Sequence, residues 1–329
     1  MPSSSVCIVS PARRADNNGN WHTAERWLAH LAPIADVVVV PEWTGEAVDV
    51  LVALHARRSA ASIERFHEAR PGRPIVLVLT GTDVYRDIDV DPAAQRSLQL
   101  AHRLVGLQPR VAERLDVQLR DKVRIVVQGA EPMHRPHVAA PARFVAVGHL
   151  RAEKDPLTLM RAVRRLPPGA EVLHVGGALD ESLAAEARAL MTDLPNYRWA
   201  GAVPHDEARA HIATATALVH MSRLEGGANV VIEAIVSGTP VLASRIDGNV
   251  GLLGEGYGGY FPAGDDKALA ALMTHCMTEP HYLAGLVAQC VPLAAGYTLG
   301  AERARVQALL ADCVEVGHIA RPVTGQTST

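Results

Sequence analysis

Two glutamates carry the first chemical signal in this chain. In SRLEGGANVVIEAIVSGTP, residues 222–240, Glu225 and Glu233 stand eight positions apart across what reads as a strand-to-helix junction. A carboxylate accepts bidentately from vicinal hydroxyls, so the spacing suits a nucleotide sugar, with one acid on the hexose and one on the ribose. Gly226 and Gly227 should free backbone N–H groups at the start of the helix containing Val230 to Val236, which makes a local site for anions and hydroxyls. A surface glutamate followed by a capping carboxylate would give the same spacing.

A second segment, FVAVGHLRAEKDP at 144–156, reads as a strand running into Gly148, then a basic loop before a helix that begins near Pro156. Lys154 is there a point charge beside a helix N-terminus, placed for a diphosphate; a solvated lysine is the alternative. In the N-terminal half, NNGNWHTAERW at 17–27 sets Gly19 and Asn20 after the first strand and before a helix, with His22 close behind. LVALHARRSA at 51–60 ends a strand in His55, Arg57 and Arg58, and LTGTDVYRD at 79–87 ends another in Thr80, Thr82, Asp83 and Arg86. Both loops are expected to open into one cleft, although a satisfied core histidine with a solvated arginine rim would look the same.

The elements that must hold these residues alternate in kind. Apolar runs at 6–9, 37–40, 48–54, 75–79 and 124–127 interleave with helical patterns at 23–31 and 59–69, a βαβ rhythm. The runs are apolar throughout, as strands are when helices cover both faces of a parallel sheet. Residues 129–142, GAEPMHRPHVAAPA, break the periodicity and read as an interdomain linker. The rhythm restarts with runs at 144–147, 171–175, 217–221 and 240–244 and helices near 156–165, 181–191, 228–237 and 266–277. The expected fold class is therefore α/β, with two Rossmann-like domains facing each other across a cleft. Residues 1–138 would form the first domain and 139–295 the second, with acceptor binding by the first and nucleotide-sugar binding by the second implied by the family resemblance given below. Residues 296–329 would form a helix that packs back toward the first domain, then a frayed tail.

Composition bounds the rest. With 329 residues, 48% hydrophobic and 20% charged, the chain can bury two cores, which excludes a disordered protein. A net charge of −3 without long single-sign blocks removes the footprint of a nucleic-acid or anionic-membrane binder. Cys7, Cys276, Cys290 and Cys313 show no CxxC and no metal spacing, and the N-terminus lacks a signal-peptide core, so a cytoplasmic location is expected. No window is long and apolar enough to span a bilayer. Aromatics are only 4% of residues, which leaves few stacking platforms and favours small substrates. No DxD cluster stands where a metal would be held, so neither a metal nor another cofactor is expected.

Together the two segments resemble the retaining GT-B glycosyltransferases of family 4, which carry a VGR-x-x-x-EK loop and an E-x7-E motif followed by EA-x-x-x-G-x-PV. Glu225, Glu233, Ala234, Gly238, Pro240 and Val241 match, as do Gly148, Glu153 and Lys154, and PAGDDKALAAL at 262–272 matches the last helix entry. The resemblance covers about 143–280. It implies that Glu233 holds the ribose, that Glu225 with the Gly227, Ala228 and Asn229 amides, next to Val230, holds the donor sugar, and that Lys154 holds the pyrophosphate. His149 stands where the family usually has a phosphate-binding arginine, so His149 acts as a weaker donor, or Arg151 or Arg223 supplies the charge. Gly19 and Asn20 correspond to the family's turn under the donor phosphates.

Over nearly its whole length the chain is similar to the selenosugar synthases of selenoneine biosynthesis, a compact branch of that family. That similarity implies a UDP-linked hexose as donor, UDP-N-acetylglucosamine or UDP-glucose, and selenophosphate as acceptor. It further implies a functional link to a selenophosphate synthetase and a selenoneine synthase. Selenophosphate is a small, highly charged acceptor, so arginines and histidines such as His22, His55, Arg57, Arg58 and Arg86 suit it. Its selenium is soft and already anionic and needs no strong general base. The alternatives are an O-glycosyltransferase with a small-metabolite acceptor and a non-catalytic nucleotide-sugar-binding protein.

Overall fold

The computed structural model describes residues 4–14, 19–134 and 142–319. Residues 1–3, 15–18, 135–141, within the expected linker, and 320–329, within the expected frayed tail, lie outside them. Contacts divide the chain into two units, Met1–Val127 with Glu302–Thr329, and Gln128–Ala301.

The first unit is built on a six-stranded parallel sheet in the order β2-β1-β3-β4-β5-β6. Its strands are β1 Ser4–Val9, β2 Ala35–Val40, β3 Val50–Leu54, β4 Ile75–Leu79, β5 Arg103–Gly106 and β6 Val123–Ile125. Alternate residues of these apolar strands feed two separate cores. Cys7, Val9, Leu51, Ala53, Leu77 and Leu79 face Ile63 and Phe66 of the helix Ala60–Ala69 and Leu98 of the helix Pro92–Leu100. Val6, Ile8, Val52, Leu54, Val76 and Val78 face Trp27 and Leu31 of the helix Gly19–Leu31, together with Val306, Leu309, Leu310 and Cys313 of the terminal helix. That two-sided burial is why the strands do not alternate in polarity. The terminal helix, Leu299–Ile319, is also tied by charge: buried Glu302 lies 3.0 Å from Arg26 and 3.4 Å from His30, and Asp312 accepts from Arg103.

The second unit repeats the plan with β7 Ala142–Val147, β8 Ala170–Val175, β9 Tyr197–Gly201, β10 Ala217–His220, β11 Val241–Ser244 and β12 Tyr260–Phe261, all parallel, in the order β12-β11-β10-β7-β8-β9. Three strands have no counterpart among the expected runs: β5, β9 and β12, each short. The helices Pro92–Leu100, His205–Thr214, Asp247–Leu253 and Pro280–Ala294 are likewise additional to the expected set.

Both strand orders reverse direction once. In open α/β sheets ligands bind outside the carboxyl ends of the strands that flank such a reversal. In the first unit those strands are β1 and β3; in the second they are β7 and β10.

Candidate active site

The two chemical segments meet at the second reversal. The loop after β7 carries Gly148 to Asp155, and the loop after β10 carries Met221 to Ala228. Lys154 Nζ donates to Glu225 Oε1 at 2.5 Å, and His220 Nε2, at the last residue of β10, lies 3.3 Å from the same oxygen. Burial alone would raise the Glu225 carboxyl, but Lys154 and His220 outweigh it and hold its pKa well below the carboxylate range. Glu225 is therefore ionised at neutral pH, and its Oε2 accepts no hydrogen bond among the described residues.

Close backbone packing fixes this geometry. A Cβ on Gly248, in the helix Asp247–Leu253, would stand 2.3 Å from the Glu225 carbonyl oxygen. Gly176, just past β8, has φ +149°, and a Cβ there would stand 2.0 Å from the Gly148 carbonyl oxygen. Only glycine lets both loops pass so near their neighbours. The loops are also tied to each other: the Arg223 N–H donates to the Glu153 carbonyl at 2.8 Å, and the Arg223 guanidinium pairs with Asp155 at 2.9 Å. Asp155 takes a left-handed conformation, φ 46°, and its other bond, from Thr158, lies in the helix Pro156–Val163 that it opens.

The second acid of the pair lies along the helix Asn229–Val236, whose N-cap position is Ala228. Glu233 is buried, and its Oε1 is 2.7 Å from His205 Nε2 at the start of the helix His205–Thr214. Gly226 and Gly227 lie between Glu225 and the helix, as expected, with Val230 in its first turn. His149 is fixed as well. Its Nδ1 accepts from the Gly177 N–H at 3.0 Å, which puts the proton of a neutral ring on Nε2 and makes that nitrogen a donor.

Of the two arginines considered as substitutes for the family arginine, Arg223 is committed to Asp155. Arg151 has no ion-pair partner among the described residues, and its Nε is buried without one.

The first unit gathers His55, Arg57, Arg58, Thr80, Thr82, Asp83 and Arg86 around the ends of β3 and β4, but it couples them differently from a loose cationic rim. Residues 83–87 form a π-helical turn, and His55 has φ 75°, two local departures of the kind that cluster at functional sites. Arg58 N–H donates to His55 Nδ1 at 3.3 Å, so the ring presents Nε2–H to Thr82 Oγ1 at 3.0 Å. Burial lowers the His55 pKa against the pull of Asp83, which keeps the ring neutral.

Asp83 departs from the expectation of a ligand-binding side chain. It is wholly buried, and its carboxylate accepts from the N–H groups of Ala56, Thr80 and Gly81, so it holds the two loops together instead. Arg57 and Arg86 are also partly diverted: Asp87 accepts from Arg57 Nε at 2.8 Å and from Arg86 Nε at 3.3 Å. The Arg58 side chain has no ion pair among the described residues and is exposed. Gly19, Asn20 and His22 belong to the first turn of the helix Gly19–Leu31, so Gly19 and Asn20 open that helix instead of preceding it.

Sequence reasoning did not single out His220, His205 or Asp87. Among the described residues no group of three or more His, Cys, Asp or Glu is arranged to hold a metal ion, and no helix is long and apolar enough to cross a membrane.

Comparison with known proteins places this geometry. Nearly the whole chain superposes on solved structures at low sequence identity. An Anabaena protein, HepE, in complex with UDP and glucose matches with a TM-score of 0.75 at 15% identity, over 94% of this chain and 100% of that one. Sucrose-phosphate synthase from Thermosynechococcus elongatus matches at 0.77 and 14%, over 95% and 99%. The lipopolysaccharide outer core galactosyltransferase WaaB in its apo form matches at 0.68 and 13%, over 94% and 99%. The fold is that of the GT-B glycosyltransferases. The family model "Glycosyl transferases group 1" matches residues 111–288, more than half of the chain, a span that contains both chemical loops of the second unit. The chain belongs to the group 1 glycosyl transferases.

Proposed function

We propose that this chain is a selenosugar synthase, moving a hexose, N-acetylglucosamine in first place, from a UDP-sugar to the selenium of selenophosphate. The observation that carries the donor half is the meeting of Lys154 and Glu225 at the β7/β10 reversal, with Glu233 further along the adjoining helix. In this reading Lys154, the His149 Nε2–H and Arg151 hold the diphosphate, Glu225 Oε2 and the amides of residues 227–229 hold the hexose, and Glu233 accepts from the ribose. UDP bound to the HepE structure supports the choice of nucleotide. No metal or other cofactor is required in this scheme, since Lys154 and the amide groups carry the charge that develops on the leaving diphosphate.

For the acceptor, Arg58 supplies a cation without an ion pair among the described residues, and Thr82 supplies a hydroxyl oriented by His55. The Se–C1 bond forms as the C1–O bond breaks and UDP leaves with the electron pair. Water then takes the phosphoryl group, releasing phosphate and a 1-selenosugar. Positioning two anions in a desolvated site is the main catalytic work.

One observation favours a second reading, an O-glycosyltransferase with a small hydroxyl acceptor: Asp87 engages Arg57 and Arg86, which lowers the positive charge open to an anion. The test is the rate of UDP release from UDP-N-acetylglucosamine with selenophosphate or with a panel of small polyols and sugars. A rate that rises only with selenophosphate supports the proposal, and one that rises only with a hydroxyl acceptor replaces it with the second reading.

A further inference from the structure

The reading above uses Glu225 and Lys154 and leaves their third partner, His220, without a role. His220 is 2% exposed. Its Nε2 is 3.3 Å from Glu225 Oε1 and 3.3 Å from Ser222 Oγ, and its Nδ1 is buried with no partner among the described residues. Glu225 thus shares one oxygen between an ammonium and an imidazole. Either group alone could satisfy that oxygen.

A donor diphosphate provides the reason to leave. Lys154 is the nearest cation to Glu225, and one ammonium cannot neutralise a diphosphate and a nearly buried carboxylate together. Removing the partner of such a carboxylate leaves an uncompensated charge, a costly state. The group already in contact is His220, and its orphaned Nδ1 is a vacant proton site.

The other charged or titratable groups on the segments around it are already engaged or less directly placed. Asp155 and Arg223 neutralise each other, His149 Nδ1 is taken by Gly177, and Arg151, without an ion pair among the described residues, is given to the diphosphate in the donor reading. Glu153 and Asp247 are acidic and cannot serve as counter-cation, and the β11 residue paired with His220 is Ala243.

Resting on the donor reading above, we propose that His220 is a positioning residue that becomes the counter-cation of Glu225 when Lys154 turns to the donor diphosphate, taking one proton from solvent onto Nδ1. The carboxylate then stays ionised and fixed in place for the hexose hydroxyls while the lysine serves the leaving group. No bond of the substrate is altered in this step.

The test is calorimetric titration of the full-length chain with UDP in two buffers of different ionisation enthalpy, at about one pH unit above the ordinary histidine value. Wild type should take up a measurable fraction of a proton per UDP beyond that of His220→Gln. Lys154→Met, whose histidine already faces the carboxylate alone, should lose the excess as well. Protonation of UDP itself is common to all three and cancels. Equal proton counts in wild type and His220→Gln, with UDP bound by both, overturn the proposal and leave the donor reading intact. Absence of UDP binding to wild type overturns both. Should His220→Gln not fold, His220→Asn and Lys154→Met decide: an uptake equal to wild type in either is a contradiction. In steady state, His220→Gln should raise KM for the UDP-sugar more at low pH than at high pH, a pattern that a purely structural role would not produce.

Discussion

The two units of this molecule use charge at their strand ends in opposite ways. In the second unit Lys154 and Glu225 neutralise each other across two loops, and in the proposed function each has a ligand-directed alternative, the lysine a diphosphate and the carboxylate a hydroxyl. In the first unit the comparable charges are consumed in shaping the loops. Asp83 caps three backbone amides, and Asp87 gathers Arg57 and Arg86, so that the proposed function has Arg58 and Thr82 left to meet the acceptor. A nucleotide diphosphate needs cations that can be released to it, whereas a small acceptor needs a rigid pocket with few free groups. In the proposed function the same α/β plan serves both, because ligand contacts reside in the loops at the strand ends.

Breaking the donor side should have the largest effect. Lys154→Ala removes the cation from the leaving diphosphate and should cut kcat/KM by roughly 10²–10³-fold, about 3–4 kcal/mol, while a lowered but still cooperative thermal melt reports the lost pairing with Glu225. An intact rate would remove Lys154 from the account.

The support beneath that loop responds to acid. His174 of β8 is completely buried, with Nδ1 3.2 Å from the Tyr197 hydroxyl, and burial lowers its pKa from 6.5 to about 4. A depressed folded-state pKa means the stabilisation is present above pH 6.5 and is lost as pH falls toward 4, an amount of about 3 kcal/mol. Chemical denaturation followed across that interval should show the loss in wild type and a flatter profile in His174→Gln.

Next in size is Gly176→Ala. Its Cβ would collide with the Gly148 carbonyl at a φ that side chains rarely adopt, so about 1–3 kcal/mol of stability should go, with UDP affinity falling in parallel. Stability lost with affinity retained would separate the glycine from the site.

On the acceptor side, Arg58→Ala should raise KM for selenophosphate by roughly tenfold, the worth of one charge-assisted hydrogen bond, and leave KM for the UDP-sugar near wild type. Arg57→Ala, whose guanidinium is held by Asp87, should change the melt more than either KM. Reversal of that pattern would exchange the roles of the two arginines.

The contrast between the units also explains what could be read from residues alone. Glu225 and Glu233 share one continuous strand-to-helix segment, so their spacing survives translation into space, and the parallel sheets follow from apolar runs covered on both faces. His205 meets Glu233 from a helix that begins 28 residues earlier, and no local pattern announces that contact. His220 ends an apolar strand, where a histidine looks like any core residue; its only signal is its position five residues before Glu225. Asp87 stood one residue past Arg86 in the segment already singled out. Its effect emerges only because a π-helical turn brings it back onto Arg57. Strands β5, β9 and β12 escaped because RLVG, YRWAG and YF are too short or too polar to register as runs.

The central claim is that selenium, not oxygen, takes the anomeric carbon. Mass spectrometry of the products formed from UDP-N-acetylglucosamine and selenophosphate by the purified chain tests it most directly. A selenium-bearing N-acetylhexosamine in equal amount to the UDP released, formed only when both substrates are present, is expected. UDP released without any selenium in the sugar product would contradict it.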